Sequence, residues 1–296
     1  MNSLLRTFRF FNSHPIAKRN KFSAYQRFLW WQLRSRLNEN KLFIIPFVDG
    51  TRFFAKRRLT GITGSIYTGL QDFEEMSFLL HFLRKEDCFF DVGSNVGAYS
   101  ILASGVRGSK TLAFEPNSQT FSLLRKNISL NSLDNIVHCE NKAVGSKHGK
   151  LNFTVDGDTT NHVISEEEVS LPSIEVPIVP LDDYAAKHQP AIMKIDVEGF
   201  ETEVICGAQS ILDQQNLKVI LIELNGSGGR YGFDESEIHK KLQNLCFEPY
   251  TYDPFSRSLK KENTFGQFNT LYIRDVDFVI NRIKGSQPFR IWNMTI

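Results

Sequence analysis

Cysteine is scarce in this chain, long apolar runs are missing, and no charge of one sign predominates. The 296-residue sequence has four cysteines (Cys88, Cys139, Cys206 and Cys246) without a C-x-x-C pair, which predicts neither a zinc site nor a disulfide framework. We expect each to be a small core residue in a reducing, cytoplasmic compartment. Because no run of about 18 apolar residues occurs, we expect no transmembrane helix. No apolar segment with a small-residue cleavage site indicates a signal peptide.

Charge is low overall but unevenly distributed. The formal net charge is +2, so no global field favours nucleic acid as a partner. Residues 1–41 carry nine Lys/Arg and one acid, whereas the remainder carries 26 Lys/Arg and 32 Asp/Glu. A basic segment therefore opens an otherwise mildly acidic chain.

Within this basic segment, Tyr25 to Leu37 has apolar residues near helical spacing and predicts a helix. Two roles are open: packing on the rest of the protein with its arginines in solvent, or lying as an amphipathic helix on an anionic membrane or partner. We predict the packing role and keep weak membrane-surface contact through residues 1–41 as the alternative. A hairpin should follow around Asp49-Gly50. We expect a basic N-terminal extension (1–71), a main domain (72–275) and a C-terminal tail (276–296).

The most informative stretch runs from Phe89 to Gly97. A short apolar strand enters the turn Asp91-Val-Gly93-Ser94-Asn95-Val-Gly97, and a helix follows, as in the first half of a ligand-binding βαβ unit. A dinucleotide loop has a second glycine where this chain has Asn95, because the backbone there must approach a pyrophosphate. The spacing thus argues against NAD and favours a ligand without a pyrophosphate.

A second strand-like run, Thr111 to Phe114, ends in Glu115-Pro116-Asn117. Glu115 lies 18 residues beyond Gly97. That is close to the ~20-residue distance at which an acidic residue on the second strand reaches ribose hydroxyls. A carboxylate can accept two hydrogen bonds from a vicinal diol. The loop Asp91-x-Gly93-x-Asn95-x-Gly97 resembles motif I of the class I S-adenosylmethionine (SAM) methyltransferases. This resemblance, with Glu115 following in this order, favours a SAM site.

Strands and helices alternate through the rest of the chain. The predicted strands of the central sheet are 89–92, 111–114, 136–139, 192–196, 219–224, 247–252 and 270–273, the predicted helices are 98–104, 118–131, 199–214 and 235–245, and 149–155 and 175–179 are extra strands. This alternation predicts an α/β fold whose sheet is mostly parallel, with helices on both faces. The last two strands have no helix between them and predict an antiparallel hairpin.

As a set, the motifs resemble the FkbM-type methyltransferases, a family of class I SAM-dependent enzymes. The matching runs are Asp91-Val-Gly-Ser-Asn-Val-Gly97, Phe114-Glu-Pro-Asn117, Leu181-Asp-Asp183, Lys194-Ile-Asp-Val-Glu-Gly199, Glu203 with Gly207-Ala208, and Ile222-Glu-Leu-Asn225. The resemblance covers roughly residues 72–273. It implies a Rossmann-like fold with a seven-stranded sheet, SAM as cofactor, and methyl transfer to an oxygen of a saccharide, lipid or secondary metabolite.

The resemblance also implies roles for the loop residues. Gly93, Ser94, Asn95 and Gly97 would approach the methionine and adenosine parts of SAM, and Asp91 at the strand end would hold the loop or the SAM amine. Glu115 would bind the ribose, with Pro116 and Asn117 in the same turn. Asn141 follows the third strand, where such enzymes meet the adenine, although it could also be a turn-forming asparagine.

Candidate catalytic residues follow the fourth strand. Alternation puts Lys194, Asp196 and Glu198 on one side of that strand, at the sheet edge where ligands bind. Asp196 would face the sulfonium, and Glu198 would lie beside the acceptor or else cap the next helix. A base assists an alcohol acceptor, and the candidates are Glu198, Asp196 and His162. His162 lies in the polar loop Asp158-Thr-Thr-Asn-His162, which could cover the acceptor, but a lone loop histidine is more often a surface residue. Glu223 and Asn225 could line the acceptor pocket.

Several alternatives stay open at this point. A catalytically inactive SAM-fold binding protein or an N-methyltransferase would share most of these motifs. Nothing has the His/Cys spacing of a metal site, so we predict no metal. We expect a small-molecule, saccharide or lipid-linked acceptor and no nucleic-acid partner, whereas the oligomeric state is not predicted.

Overall fold

The structure is a computed structural model that describes residues 3–39, 41–57, 59, 61–155, 160–168 and 170–296, without the side chains of 3–6 and 166. The helices in these ranges are α1 (Ser3–Ser13), α2 (Pro15–Arg19), α3 (Lys21–Leu37), α4 (Thr63–Thr68), α5 (Phe73–Phe82), α6 (Ala98–Ser100), α7 (Ser118–Leu130), α8 (Glu201–Cys206), α9 (Gln209–Leu212), α10 (Glu235–Asn244) and α11 (Val276–Lys284). A search of these ranges finds no helix both long and apolar enough to cross a bilayer.

The strands belong to one large sheet and three small ones. They are β1 (Phe43–Pro46), β2 (Arg52–Ala55), β3 (Cys88–Val92), β4 (Lys110–Phe114), β5 (Val137–Glu140), β6 (Ala143–Val144), β7 (Gly149–Thr154), β8 (Ser173–Val179), β9 (Ile192–Ile195), β10 (Val219–Glu223), β11 (Glu248–Asp253), β12 (Ser258–Lys261), β13 (Asn269–Ile273), β14 (Arg290–Ile291) and β15 (Met294–Thr295). Short 3₁₀ turns lie at Glu166–Glu168, Leu181–Tyr184 and Ser227–Tyr231.

The large sheet has the order β12-β11-β13-β10-β9-β3-β4-β5. Strands β10, β9, β3, β4 and β5 run parallel, whereas β13, β11 and β12 pair antiparallel. The predicted α/β fold class, with a mostly parallel sheet and an antiparallel end, is confirmed. The sheet has an eighth strand, β12, which the sequence analysis missed. Its sequence Ser-Leu-Lys-Lys is largely exposed at the edge and lacks the apolar run of a buried strand.

The parallel strands are apolar because helices cover both of their faces. Strands β9 (Ile-Met-Lys-Ile) and β10 (Val-Ile-Leu-Ile-Glu) are buried almost throughout, as expected for central parallel strands. Lys194 on β9 is paired in register with Asp91 on β3, which brings two charged side chains into the centre of the sheet. These strands end at one edge, where the polar residues of the predicted site follow them.

The predicted helix 199–214 is not continuous. It is divided into α8 and α9 at Gly207, where a Cβ atom would lie 1.9 Å from the carbonyl oxygen of Gly145. This backbone crossing, next to the small sheet of β6, β8 and β7, is a tertiary constraint that helical spacing does not reveal. The predicted helix 98–104 also differs, because α6 continues as a π-helix over Ile101–Val106.

The N-terminal helices pack on the main domain. Phe11 on α1 is fully buried and lies in the same core cluster as Phe73 on α5. The imidazole Nε2 of His14 lies 2.7 Å from the carbonyl oxygen of Leu70. Trp31 on α3 is 3% exposed. The packing role predicted for 25–37 is confirmed, although α3 begins earlier, at Lys21.

The C-terminal residues join the same core. Val279 and Ile283 on α11, and Phe289, Ile291 and Ile296 beyond it, are buried there. The boundaries predicted at 71 and 275 stay a prediction, since both flanking segments share apolar contacts with the residues between them.

The four cysteines are free thiols. Cys88 and Cys139 are half-buried, whereas Cys206 and Cys246 are exposed. The prediction that all four are core residues is wrong for the last two, because they lie at the ends of α8 and α10, at the protein surface.

Candidate functional site

A cleft lies at the carboxyl edge of β3, β4, β9 and β10. Its lining includes most of the predicted site residues: Asp91, Gly93, Ser94, Asn95, Glu115, Pro116, Lys194, Asp196 and Glu198. Glu223, which was predicted for the acceptor pocket, also lines the cleft, whereas Asn225 does not. Residues that were not assigned to the site complete it: Gly61, Gln71, Asp72, Val96, Ala98, Tyr99, Phe153, Asn161, Val197 and Asn269. The cleft therefore combines the glycine loop, the acidic residue after β4 and the acidic segment after β9.

The glycine loop is held between the ends of β4 and β9. The backbone N–H groups of Gly93 and Ser94 donate to the carbonyl oxygen of Phe114 at 3.1 and 2.9 Å. Gly93 has φ +78°, and a Cβ atom there would lie 1.8 Å from the carbonyl oxygen of Asp196. Only glycine fits this approach, so the loop requires Gly93 for a backbone contact within the protein.

Glu115 is buried at the centre of this loop system. One carboxylate oxygen accepts from the N–H of Asn95 at 3.0 Å, and the other accepts from the N–H of Asn117 at 2.8 Å. Burial raises the pKa of Glu115 to about 8, although these two N–H groups oppose the shift. Each oxygen keeps a further lone pair, so the carboxyl group can still accept hydrogen bonds from a ligand in the cleft.

Asp91 has one satisfied oxygen and one unsatisfied oxygen. Its Oδ2 accepts from the hydroxyl of Ser100 at 2.6 Å. Its Oδ1 is buried and has no hydrogen-bond partner among the described residues. Burial raises the pKa of Asp91, and the charge of Lys194 opposes that shift. A buried unpaired acceptor is costly, and a donor on a bound ligand would satisfy it.

Lys194 is the buried cation of the site. Its Nζ lies 2.7 Å from Oδ2 of Asp196 and 4.8 Å from the centroid of the Tyr99 ring. The Tyr99 hydroxyl donates to Oδ2 of Asp72 at 3.0 Å. Burial alone would lower the pKa of Lys194, but the charges of Asp196 and Asp91 outweigh it and raise that pKa. The ammonium therefore stays charged and balances the surrounding carboxylates.

Three carboxylates meet on one side of the cleft. Asp196, Glu198 and Glu223 each offer an oxygen within 4.8 Å of the others. Burial, followed by the charge of Asp196, raises the pKa of Glu198 to about 7. Burial and the charges of Asp196 and Glu198 raise the pKa of Glu223 as well. Such oxygens could hold a cation or share a proton, and the raised pKa values favour proton sharing near neutral pH.

The backbone after β9 sets the position of Glu198. The strand ends at Ile195, so the strand alternation expected to align Lys194, Asp196 and Glu198 does not extend to Glu198. Glu198 has φ +56°, and its carbonyl oxygen accepts from Arg230 at 3.0 Å. The alternative role as a cap of α8 is not observed, because that helix has no side-chain cap hydrogen bond. The Oε1 atom of Glu201 instead accepts from the N–H groups of Val197 and Gly199 in the preceding turn.

Several predicted residues lie outside the cleft lining. The Asn117 side chain caps α7 through the N–H groups of Gln119 and Thr120. The Asn141 amide donates to the carbonyl oxygens of Glu115 and Pro116 at 2.8 and 2.9 Å, so it holds the turn that presents Glu115. Gly97, with φ +88°, precedes α6. These three therefore support the loops around the cleft.

His162 is also turned away from the cleft lining. Its Nε2 lies 3.2 Å from Glu168, and its Nδ1 lies 2.8 Å from the carbonyl oxygen of Thr160. Both ring nitrogens thus have partners on the small-sheet side. Residues 156–159 of the predicted polar loop lie outside the described residues. The neighbouring Asn161 does line the cleft.

Sequence reasoning missed the contribution of the segment before β3. Gln71, Asp72 and Gly61 line the cleft from this segment, and the Gln71 amide donates to the carbonyl oxygen of Gly61 at 3.0 Å. Asp72 directly precedes the apolar helix α5, a position typical of a helix cap. Its partner Tyr99 is 27 residues away, and no local pattern predicts that contact.

Several known proteins are similar to this chain. The chain is 27% identical over 216 residues to the hexuronic acid methyltransferase AglP of Haloferax volcanii, covering 69% of this chain and 74% of that protein. It is similar to the solved structure of methyltransferase FkbM from Methylobacillus flagellatus KT (14% identity, TM-score 0.45), covering 72% of this chain and 52% of that one. This chain therefore spans about half the length of that protein. TYW2 of P. horikoshii, solved in complex with MeSAdo, is similar at 10% identity and a TM-score of 0.45, covering 85% and 82%.

The family is shown by the sequence itself. Residues 91–249 match the methyltransferase FkbM domain, from Asp91 of the glycine loop to the early part of β11. This span includes the loop, Glu115 and all three clustered carboxylates. The chain belongs to the FkbM methyltransferase family.

Proposed function

We propose that this protein transfers the methyl group of SAM to a hydroxyl oxygen of a saccharide. The observation that carries the proposal is one cleft that holds both Glu115, with lone pairs for a ribose diol, and the carboxylate cluster of Asp196, Glu198 and Glu223. A methyl donor and an acceptor can then meet within the same cleft, which is the main requirement of a displacement reaction.

The residues present fit SAM. Oδ1 of Asp91 is buried without a partner in the described part of the chain and can accept from an ammonium or hydroxyl group. Both Glu115 oxygens can accept from vicinal hydroxyls while retaining their backbone bonds. Asn95 occupies the position where a pyrophosphate-binding loop needs glycine. SAM, when bound, supplies an electrophilic methyl group on a sulfonium.

The charge of the cluster favours a neutral acceptor group. Asp196, Glu198 and Glu223 would repel a carboxylate placed among them, whereas a hydroxyl can donate its hydrogen bond to one of them. A pKa of about 7 suits Glu198 to accept the hydroxyl proton as the new bond forms near neutral pH. The Lys194 ammonium pairs with Asp196 and holds it in place.

The saccharide class is supported by the relative from Haloferax volcanii, whose name gives its substrate as a hexuronic acid. A hexuronic acid offers both hydroxyl groups and a carboxyl group. We propose the hydroxyl as the acceptor here, because of the charge of the cluster.

The test is methyl transfer from SAM labelled in its methyl group to hexuronic-acid oligosaccharides, neutral oligosaccharides and amino sugars. Labelled products are then treated with mild alkali, which hydrolyses a methyl ester and leaves a methyl ether or methylamine intact. Alkali-stable label on a hexuronic or neutral saccharide is the expected result. Alkali-labile label would indicate that the carboxyl group is the methyl acceptor. Label found only on amino sugars would indicate N-methylation.

Cofactor binding is tested separately by calorimetry with SAM and NAD. We expect SAM to bind and NAD not to bind. SAM binding without transfer to any acceptor would favour the inactive binding protein. No SAM binding by a folded protein would contradict the proposal at its first step.

A further inference from the structure

Helix α3 presents an apolar stripe to solvent. Its large exposed apolar residues, with their exposed fractions, are Phe22 (72%), Leu29 (58%), Trp30 (44%), Leu33 (65%) and Leu37 (81%). At 3.6 residues per turn these five positions fall within an arc of roughly 100°. We call this stripe the outer face of α3.

The orientation of the outer face is fixed by packing on the other side of the helix. Ala24, Trp31 and Ser35 are buried there. The Phe28 ring contacts Tyr67 of α4 at 5.4 Å between centroids. Arg27 donates to the carbonyl oxygen of Tyr67 at 2.7 Å. Helix α3 is therefore held along the protein surface, and the outer face cannot turn inward without breaking these contacts.

Basic side chains border the outer face. Arg34, Arg36 and Lys41 are exposed near the carboxyl end of α3, and Lys18 and Lys21 are exposed near its start. Residues 1–41 carry nine Lys/Arg against one acid, whereas the rest of the chain has more acids than bases. The apolar stripe and the positive charge thus occupy the same segment.

Further apolar groups are exposed in the same N-terminal part of the chain. Phe8 on α1 is 55% exposed, and Ile44 on β1 is 49% exposed. Single exposed apolar residues are common on globular proteins, but several on one face of a helix with a basic border indicate an interaction surface.

We infer that the outer face of α3 docks on an anionic lipid bilayer, with the helix parallel to the membrane plane. Leucine, tryptophan and phenylalanine on one face, bordered by lysine and arginine, is the pattern of an interfacial helix. The basic border matches the negative surface of such a bilayer. A second copy of this chain matches it poorly, because the two basic borders would be opposed.

The test is flotation of the full-length protein with phosphatidylglycerol-containing vesicles and with pure phosphatidylcholine vesicles. We expect the protein to float with the anionic vesicles and to remain largely unbound with phosphatidylcholine. Binding should weaken in 1 M NaCl, because salt screens the contribution of the basic border. Leu29→Gln with Leu33→Gln should weaken partition by roughly tenfold or more per leucine.

A matched control is Leu171→Gln, since Leu171 is also exposed (41%) but lies far from α3 in the chain, before β8. This variant should float as the unchanged protein does. Thermal midpoints establish that each variant is folded, and both replaced α3 leucines are exposed, so little change is expected. The inference would be overturned if the folded protein does not float with anionic vesicles, or if it floats equally well with both leucines replaced. Sedimentation that shows a dimer dissociated by the α3 substitutions would also overturn it, because the outer face would then join two copies.

Discussion

Lys194 and Asp196 form an ion pair at the end of β9, with Nζ 2.7 Å from Oδ2, and the ammonium also lies over the Tyr99 ring. The Lys194 side chain is 5% exposed, whereas that of Asp196 is 33% exposed. The pair thus has one end in the core and one end in the cleft. The same ammonium favours the ionised forms of Asp91 and Asp72, because its charge opposes the rise that burial causes in their pKa values.

Lys194→Met should therefore destabilise the protein strongly at neutral pH. Removing one partner of a buried ion pair leaves uncompensated charge and costs about 3–5 kcal/mol in the free energy of unfolding. The loss should shrink at pH 5, because the neighbouring carboxyl groups can then bind protons. Urea unfolding at both pH values measures it.

A matched control is Lys240→Met, since Lys240 pairs with Glu237 at 2.8 Å on the exposed face of α10. That variant should leave the urea midpoint nearly unchanged. If Lys194→Met unfolds at the same urea concentration as the unchanged protein at pH 7, the balancing role of Lys194 is wrong.

Glu115→Gln should weaken SAM binding by about 1–3 kcal/mol, because an amide offers one acceptor oxygen where the carboxylate offers two. In addition, the NH₂ group of the amide would point at the N–H of Asn95 or Asn117, so two donors would face each other. Calorimetry at pH 9, above the pKa of about 8 that burial gives Glu115, measures the change for the ionised carboxylate. Glu140→Gln is the control, since Glu140 lies at the end of β5, outside the cleft lining, and pairs with Lys142. Equal SAM affinities for the two variants would contradict the ribose assignment.

The sequence predicts the cofactor side of this site better than the acceptor side. The glycine loop and Glu115 follow consecutive strands of one βαβ unit, so short-range spacing determines where they lie. Asn269 reaches the cleft because β13 pairs antiparallel with β10, which places it opposite Glu223. The Tyr99–Asp72 contact joins the loop to a segment before β3. Such contacts depend on tertiary packing, which no local pattern encodes.

The N-terminus shows a second limit of sequence reasoning. Helical spacing predicts α3, but the packing of Phe11 and His14 depends on partners on α5 and before it. The apolar residues of α3 point in two directions, and the spacing alone does not say which face is buried. Trp30 and Trp31 are adjacent in sequence, yet the first is 44% exposed and the second 3%.

Methyl transfer should survive metal chelation. The Asp196, Glu198 and Glu223 oxygens lie close enough together to bind a cation. The Lys194 ammonium already pairs with Asp196, however, so one of the three carboxylates has its charge balanced without a cation. Activity measured after EDTA treatment and gel filtration should stay close to the untreated rate. If EDTA treatment abolishes methyl transfer and added Mg²⁺ restores it, a cation binds at this cluster.

Glu198→Gln should lower kcat while SAM affinity stays nearly constant. Loss of a general base typically costs ~10²–10⁴-fold in rate. Glu223→Gln tests the neighbouring carboxylate, and His162→Ala tests a histidine whose ring nitrogens both have partners outside the cleft lining. We expect His162→Ala to keep normal kcat. If kcat falls only in His162→Ala, the histidine is the base. If kcat is unchanged in all three variants, positioning the acceptor against the methyl group suffices without a side-chain base.

Stability should fall as the pH rises from about 5 to about 9. Burial raises the pKa of Glu198 to about 7, of Glu115 to about 8 and of Glu75 to about 8, and these groups ionise more readily in the unfolded chain. Their protonated forms contribute full stability below about pH 4.3, the pKa of a glutamate in the unfolded chain. This contribution is lost as the pH rises through the pKa values of the folded protein.

Glu198→Gln combined with Glu223→Gln should flatten this profile, because both pKa values are raised in the folded protein. Relative to the unchanged protein, the double variant should gain thermal stability at pH 8.5 and gain little at pH 5. Thermal midpoints measured from pH 5 to pH 9 at constant ionic strength test this difference. The control Glu140→Gln should not gain stability at high pH. Although burial opposes it, hydrogen bonds from Lys142 and His138 lower the pKa of Glu140, so its ionised form stabilises the fold. If the thermal midpoints of the double variant and the unchanged protein differ by the same amount at every pH, Glu198 and Glu223 are ionised in the folded state throughout this range. That result would contradict proton sharing in the cluster.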